Sequence, residues 1–85
     1  MKIVINKNYG GFGYGCKGNC EAIAYMFEDE RNAPELIEMV ETYPELCGDL
    51  CVVEIPDTAT DWQINKYDGL ESVIYVVNGK IWWAR

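Results

Sequence analysis

Two dipeptides in the C-terminal part constrain the fold of this chain more than any other feature. Asp68-Gly69 and Asn78-Gly79 separate three β-rich runs, residues 62–67, 70–77 and 80–83. Asp-Gly and Asn-Gly favour two-residue hairpin turns, because such turns need positive φ at both central positions. The spacing therefore predicts two successive hairpins that form a three-stranded antiparallel meander.

Both faces of the second predicted hairpin are apolar. A two-residue turn places Val77 opposite Lys80, and counting outward assigns the other side chains to faces. One face carries Ile74, Val76, Ile81 and Trp83, and the other carries Val73, Tyr75, Val77 and Trp82. One face can cover the rest of the domain, so the other must pack on a second layer of the chain, another copy or a ligand.

The first half of the chain predicts one strand and two helices. Lys2 to Asn6 is a β-branched, apolar run typical of a short buried strand, and the glycine-rich segment 8–19 predicts a loop. A first helix is expected from an N-cap at Asn19. A second, amphipathic helix is expected from an N-cap at Asn32 to a point near Pro44.

These elements define the expected fold class. Leu50 to Ile55 is a further β-rich run, closed by a Pro-Asp turn. A chain of 85 residues can bury one hydrophobic core but not two, so residues 1–85 are expected to form a single domain. The pattern predicts an α+β fold, with two helices packed on a small mixed sheet of four to five strands that ends in the C-terminal meander.

The charge of the chain limits its partners. It carries 14 Asp and Glu residues against seven Lys and Arg residues, a net charge of −7. Negative charge repels the phosphates of nucleic acids and anionic lipid head groups. We therefore expect no direct nucleic-acid binding and no membrane binding, and a basic protein is a better match.

The N-terminal apolar run is shorter than the core of a signal peptide. The longest apolar run, residues 22–27, is bounded by Glu21 and Glu28 and is too short to cross a bilayer. The sequence therefore predicts a cytoplasmic protein.

Histidine is absent from the chain. Its imidazole has the ordinary pKa best suited to proton transfer near neutral pH, so Ser-His, Cys-His and His-metal sites are excluded. The remaining carboxylate pairs are Asp57 with Asp61 and Asp68 with Glu71, and each lies in a turn, where such side chains commonly cap the backbone. The composition therefore predicts a protein that is not an enzyme.

The glycine-rich loop contains a partial match to the dinucleotide-binding fingerprint, in which amides at a helix N-terminus hold a phosphate. The ligand-binding candidates are Gly11, Gly13, Gly15, Lys17 and Gly18. The alternative is a simple tight turn, because the chain is too short for a dinucleotide fold and lacks the expected acidic residue.

Four cysteines fall into two equally spaced pairs, Cys16 with Cys20 and Cys47 with Cys51. Four thiolates satisfy tetrahedral zinc, so the pattern allows a structural zinc site. Zinc knuckles usually have two residues between their cysteines, one fewer than here, which favours buried free thiols. A disulfide is the least favoured state in a reducing cytosol, and no other cofactor is expected.

Acidic and aromatic side chains mark a candidate partner surface. Glu35, Glu38 and Glu41 lie along the second predicted helix. Tyr75 and Trp82 share a face of the second predicted hairpin. An acidic stripe can mimic the phosphates that a basic groove binds, and Tyr and Trp commonly anchor interfaces. The alternatives are a solvated helix face and core positions. The expected partner is another protein or a second copy of this chain.

Segments in fixed order along the chain also carry a family resemblance. The N-terminal ones are Lys2-Ile3-Val4-Ile5-Asn6, Tyr9-Gly10-Gly11-Phe12-Gly13 and Pro34 to Glu41. The C-terminal ones are Val53-Glu54-Ile55-Pro56-Asp57, Trp62, Ile64 and Tyr67-Asp68-Gly69 with Glu71. They resemble a family of small uncharacterised proteins encoded by bacteria and their phages. Residues 14–20, rich in Gly and Cys, and the short middle of the chain depart from the family pattern.

The resemblance implies a phage or prophage setting and no mechanism. Together with the acidic helix and Trp82, it leads to the expectation of a non-enzymatic protein that binds a host protein. Inhibition of a defence or nucleic-acid-handling system is the sharpest form of this hypothesis. The alternative is a small-ligand module that holds a phosphate or nucleotide in the glycine-rich loop.

Overall fold

Five strands and two helices make up the regular structure of the protein. The computed structural model describes residues 1–85. The elements are β1 (Lys2–Asn6), α1 (Asn19–Met26), α2 (Pro34–Thr42), β2 (Leu50–Glu54), β3 (Asp61–Tyr67), β4 (Leu70–Val77) and β5 (Lys80–Ala84), with a 3-10 turn at Pro44–Leu46.

The strands form two separate sheets, and both are antiparallel. β1 pairs with β2, and β3, β4 and β5 form the meander in that order. The predicted α+β class and the C-terminal meander are confirmed. The predicted single mixed sheet is wrong, since the strands form two antiparallel sheets. The reason is that β1 is apolar on both faces and is covered by the helices on one face and by the meander on the other.

The two hairpins have the turns that their sequences require. Asp68 and Gly69 have φ of 51° and 89°, and Asn78 and Gly79 have φ of 53° and 75°. Positive φ at both central residues is the backbone of the type I′ turn. In the second hairpin this turn sets Val77 opposite Lys80 and Tyr75 opposite Trp82, so the predicted register is confirmed.

The β1–β2 sheet is the middle of three layers. Alternate side chains along it point in opposite directions, so Val4 and Leu50 join the core under the helices, with Leu36 of α2. Ile3 and Ile5 join a second core, under the meander, with Val73 of β4, so the expected single core is divided in two by the β1–β2 sheet. All three residues of the Ile3-Val4-Ile5 run are fully buried.

Both helices start one residue away from the predicted position. Gly18 is the N-cap of α1 and Ala33 is the N-cap of α2, and neither helix has a side-chain cap. At α2 the cause is Pro34, which takes the first helical position and holds Ala33 in an extended conformation. Neither helix has the length and apolar character needed to cross a membrane.

Replacing Gly69 with alanine tests how the first hairpin packs. A Cβ at Gly69 would lie 2.9 Å from the amide nitrogen of Gly11 and the carbonyl oxygen of Tyr9, at a φ of 89°. We expect Gly69→Ala to lower the free energy of unfolding by about 2–3 kcal/mol, from backbone strain plus this overlap. Urea denaturation measures the loss.

Gly79→Ala is the matched control, because Gly79 also has positive φ but a Cβ added there would meet nothing within 4 Å. It should cost about 1 kcal/mol, from strain alone. Equal losses in the two variants would contradict the packing of the glycine-rich loop on the first hairpin.

Candidate functional site

A buried ion pair lies where the three layers meet. The guanidinium of Arg31 donates to both oxygens of the Glu71 carboxylate, at 2.6 and 2.8 Å. Arg31 is 3% exposed and Glu71 is 4% exposed. A buried charge is tolerated only when it is paired and fully hydrogen-bonded, so each residue fixes the position of the other.

Backbone groups from several segments complete this network. Arg31 also donates to the carbonyls of Glu28 and Val4, and the amide of Asn6 donates to Glu71 at 2.7 Å. The guanidinium stacks over the ring of Phe12 at 3.7 Å. The pair therefore joins β1, the glycine-rich loop, the segment between the helices and β4.

Sequence reasoning missed the role of Arg31 and placed Glu71 in a turn. Glu71 lies on β4, on the same face as Val73 and Tyr75, which is the face that packs on β1–β2. A carboxylate at an inward position of an apolar strand is the signal that predicts a buried partner. Arg31 follows a run of acidic residues and has no comparable signal.

The glycine-rich loop packs on its neighbours and does not form one cradle. Gly11 lies against Gly69, Gly13 lies beneath the ring of Tyr25, and Gly15 lies beside Gly48. Only Lys17 and Gly18, of the five predicted ligand-binding residues, line a common cavity. The glycines thus permit close approach of backbone to backbone and ring, as in the alternative of a tight turn.

The start of α1 offers few free amides to an anion. The amide of Cys20 donates to the carbonyl of Lys17, and that of Glu21 donates to Gly18. The carboxylate of Glu21 also lies in the first turn. These features do not favour phosphate binding here, although ligand binding by Lys17 and its neighbouring glycines stays a prediction.

Three of the four cysteines cluster under the helices. Cys16, Cys20 and Cys47 are buried, and Cys16 and Cys47 face each other across an isolated antiparallel bridge. The Cys47 thiol donates to the carbonyl of Met39. Burial, with the neighbouring thiols of Cys20 and Cys16, raises the pKa of Cys47 to about 12, so this thiol stays protonated near neutral pH.

Cys51 belongs to the opposite side of the β1–β2 sheet. Its side chain packs with the core under the meander, whereas Cys47 belongs to the core under the helices. No group of three or more His, Cys, Asp or Glu side chains is arranged to hold a metal ion. The four-cysteine zinc site is therefore not assembled, because alternation along β2 separates Cys51 from the other three. All four thiols are free.

The acidic and aromatic parts of the predicted partner surface lie on different layers. Glu35, Glu38 and Glu41 are exposed on α2, which packs on one side of β1–β2, and the meander packs on the other. Glu41 binds Lys2 at 2.8 Å and raises the pKa of that lysine. The acidic stripe and the Trp82 face do not form one continuous surface.

Exposed apolar side chains concentrate on β5. Trp82 is 51% exposed and borders a shallow cleft of about 280 Å³, which it shares with Tyr75, Val77 and Pro56. On the opposite face of the meander, which we call the outer face, Ile81 is 67% exposed and Trp83 is 54% exposed. The outer face, formed by Ile74, Val76, Ile81 and Trp83, packs on no other element.

The backbone of β5 is free along one edge. Because Val77 and Lys80 close a two-residue turn, they form a hydrogen-bonded pair, and pairs alternate along an antiparallel ladder. The amides and carbonyls of Ile81 and Trp83 therefore point away from β4, and they bond to no group outside the sheet. An edge of this kind pairs readily with another extended chain.

Comparison with protein-family models, with curated proteins and with solved structures finds no match for this chain. The resemblance to the bacterial and phage family described above stays a prediction. The candidate site is the free edge of β5 with the aromatic side chains on either side of it.

Glu71→Gln tests the buried ion pair. The amide keeps the size of the side chain but leaves the Arg31 charge buried without a counter-ion, so we expect a loss of about 3–5 kcal/mol in the free energy of unfolding. Urea denaturation with far-ultraviolet circular dichroism measures it. The double variant Arg31→Met with Glu71→Leu should recover most of the loss, because it removes both charges. A double variant as unstable as Glu71→Gln would contradict the assignment.

The Cys47 thiol should make stability fall at alkaline pH. Near pH 9 the thiol begins to ionise in the unfolded chain, while in the folded chain its pKa is about 12. The stabilisation is therefore complete below pH 9 and is lost as the pH rises toward 12. Urea denaturation across this range should show a steeper loss for the natural chain than for Cys47→Ala. Parallel pH profiles would refute the buried, protonated thiol.

Proposed function

We propose that this protein is a non-enzymatic binding protein that takes an extended segment of a partner protein onto the free edge of β5. The observation that carries the proposal is the row of unpartnered backbone groups at Ile81 and Trp83. Strand addition satisfies these groups with main-chain hydrogen bonds, which provide affinity for any extended segment.

The side chains of β5 would provide specificity. Successive residues of an added strand point to opposite faces of the sheet. On one face they reach the cleft beside Trp82, and on the other they reach Trp83 and Ile81 of the outer face. Exposed Trp side chains are frequent anchors of protein interfaces, so a segment with apolar residues on both faces fits best.

Charge indicates the kind of segment. Lys80 and Arg85 bracket β5, and the strand itself carries no carboxylate. An apolar segment with acidic residues near its ends therefore complements this edge. The opposite edge of the meander, β3, carries a charge inside the strand at Lys66, whereas the only charged residue of β5 is its first, Lys80, and charges inside an edge strand resist strand addition.

Net charge argues against a second copy as the partner. Antiparallel pairing of β5 with itself, centred on Trp82, brings together two copies that each carry a net charge of −7, and like-charged molecules repel each other. We therefore assign the edge to a different protein. In the bacterial or phage setting that the resemblance implies, this is a host protein.

The ionisable groups support a binding role over an enzymatic one. Both oxygens of the most buried carboxylate, Glu71, are occupied by Arg31. The Cys47 thiol is protonated near neutral pH, and only the thiolate is a good nucleophile. There is no imidazole in the chain to act with the exposed carboxylates on α2, and one of these, Glu41, is bound to Lys2.

Selection of short random peptides by messenger RNA display against the full chain tests the proposal. We expect enriched peptides to alternate apolar residues and to carry Asp or Glu near their ends. In the complex, hydrogen exchange should slow at the amides of Ile81 and Trp83. Ile81→Pro removes one of these amides at an edge position that tolerates proline, and it should weaken binding about tenfold or more.

Two control variants sharpen the result. Ile81→Thr keeps the amide and the β-branched side chain, and should retain most of the affinity that Ile81→Pro loses. Lys66→Pro removes an outward amide from β3, on the other edge, and should leave binding unchanged. Enriched peptides that bind Ile81→Pro as tightly as the natural chain, or a selection without enrichment, would contradict strand addition.

A further inference from the structure

A second cavity, of about 380 Å³, opens where the chain leaves β1 and meets the β3–β4 turn and the end of β5. Its walls include Lys7, Asn65, Tyr67, Ser72, Trp83 and Arg85. Small-molecule sites commonly have volumes of about 300–1,000 Å³. The cavity is therefore large enough for a small ligand, and it shares Trp83 and Arg85 with the β5 edge.

The wall of this cavity carries more cationic than anionic side chains, unlike the chain as a whole. Glu71 also reaches its wall, but both carboxylate oxygens accept hydrogen bonds from Arg31. Lys7 and Arg85 form no salt bridge in the structure. Two cations that form no salt bridge thus line one cavity of a protein with a net charge of −7, which favours an anion there.

A hydroxyl in the wall has no partner in the chain. Ser72 is 7% exposed and lines the cavity, and its hydroxyl makes no hydrogen bond with any protein group, although the only fully buried side-chain atom without a partner is Asn6 Oδ1. Asn65 lies directly opposite Ser72 in the β3–β4 register, and its side-chain amide is likewise free. The Ser72 hydroxyl is therefore available to donate to a ligand atom in the cavity.

Two aromatic side chains complete the wall. Trp83 is 54% exposed and Tyr67 is 71% exposed. Their rings offer flat apolar faces next to the two cations. We propose that this cavity binds a small organic anion, a carboxylate or phosphate carried on a flat aromatic group, with Lys7 and Arg85 on the anion, Ser72 donating to it, and Trp83 and Tyr67 against the ring.

The cavity at the start of α1 lacks this combination. It has one cation, Lys17, and the nearest helix amides already donate to backbone carbonyls. The Trp82 cleft is lined by Pro56, Tyr75, Val77 and Trp82 and has no charged group. Among these cavities, two cations without a salt bridge, a free hydroxyl and exposed aromatic rings occur together only where the end of β1 meets the β3–β4 turn and the end of β5.

Titration of the full chain with 1-naphthoate and 1-naphthyl phosphate, followed by nitrogen-15 correlation spectra, tests the proposal. We expect saturable shifts at Lys7, Ser72 and Arg85 with at least one probe, and the tighter probe identifies the preferred anion. The neutral 1-naphthamide should bind at least tenfold more weakly, and so should inorganic phosphate, which has no ring. Affinity should fall as salt is raised.

Variants assign the roles. Lys7→Gln and Arg85→Gln should each weaken naphthoate or naphthyl phosphate binding about threefold to tenfold, because each removes one charge from the anion. Ser72→Ala should weaken it as well, and its folding is checked by its own correlation spectrum. Lys80→Gln, at the far end of β5, is the matched control and should have no effect.

Three results would overturn the proposal. One is the absence of saturable shifts at Lys7, Ser72 and Arg85 with both naphthyl probes. Another is equal affinity for 1-naphthamide, and the third is unchanged affinity in both Lys7→Gln and Arg85→Gln. The proposal is separable from strand addition, because Ile81→Pro should leave anion binding intact and Lys7→Gln should leave peptide binding intact.

Discussion

The ion pair between Arg31 and Glu71 organises this fold, because a charge buried away from water strongly destabilises the folded state unless it is paired. If either residue moved away, the charge of the other would remain buried without a partner. The pair holds the segment between the helices against the meander, and the amide of Asn6 and the ring of Phe12 bring β1 and the glycine-rich loop to the same point. A chain with short helices and no disulfide thus acquires one fixed junction between its layers.

The middle layer explains why so small a protein needs that junction. A two-stranded sheet is not stable alone, and β1–β2 is stabilised only because each of its faces is covered by a different layer. Val4 and Leu50 pack one face of this sheet on the helices. Ile3 and Ile5 pack the other face on the meander. The meander uses one apolar face for this packing, so its outer face and the β5 edge remain free, which is the basis of the proposed binding role.

Local features of this fold could be predicted from sequence, and distant couplings could not. Asp68-Gly69 and Asn78-Gly79 fix their turns by backbone preference alone, so the meander and its register followed directly. The division into two sheets depends on which face of β1 meets which layer, and no local pattern reports that. The four cysteines do not come together for the same reason. Their equal spacing in sequence does not report that the side chain of Cys51 lies on the opposite side of the β1–β2 sheet from Cys47. The hairpin register placed Trp82 opposite Tyr75, whereas the cavity beside Lys7 is lined by residues from the end of β1, β3, β4 and β5, which no local pattern brings together.

The residues that pair with β1 or cover it are far from it in sequence, and this separation affects how the chain folds. β1 is synthesised first, yet its partner strand is β2, and the carboxylate that binds the Asn6 amide lies 65 residues further on. The apolar side chains of β1 therefore stay exposed to water during synthesis until the later segments that cover them have been made. Folding dominated by such non-local pairing is slow, and we infer that the first half gains little persistent structure until β4 has left the ribosome.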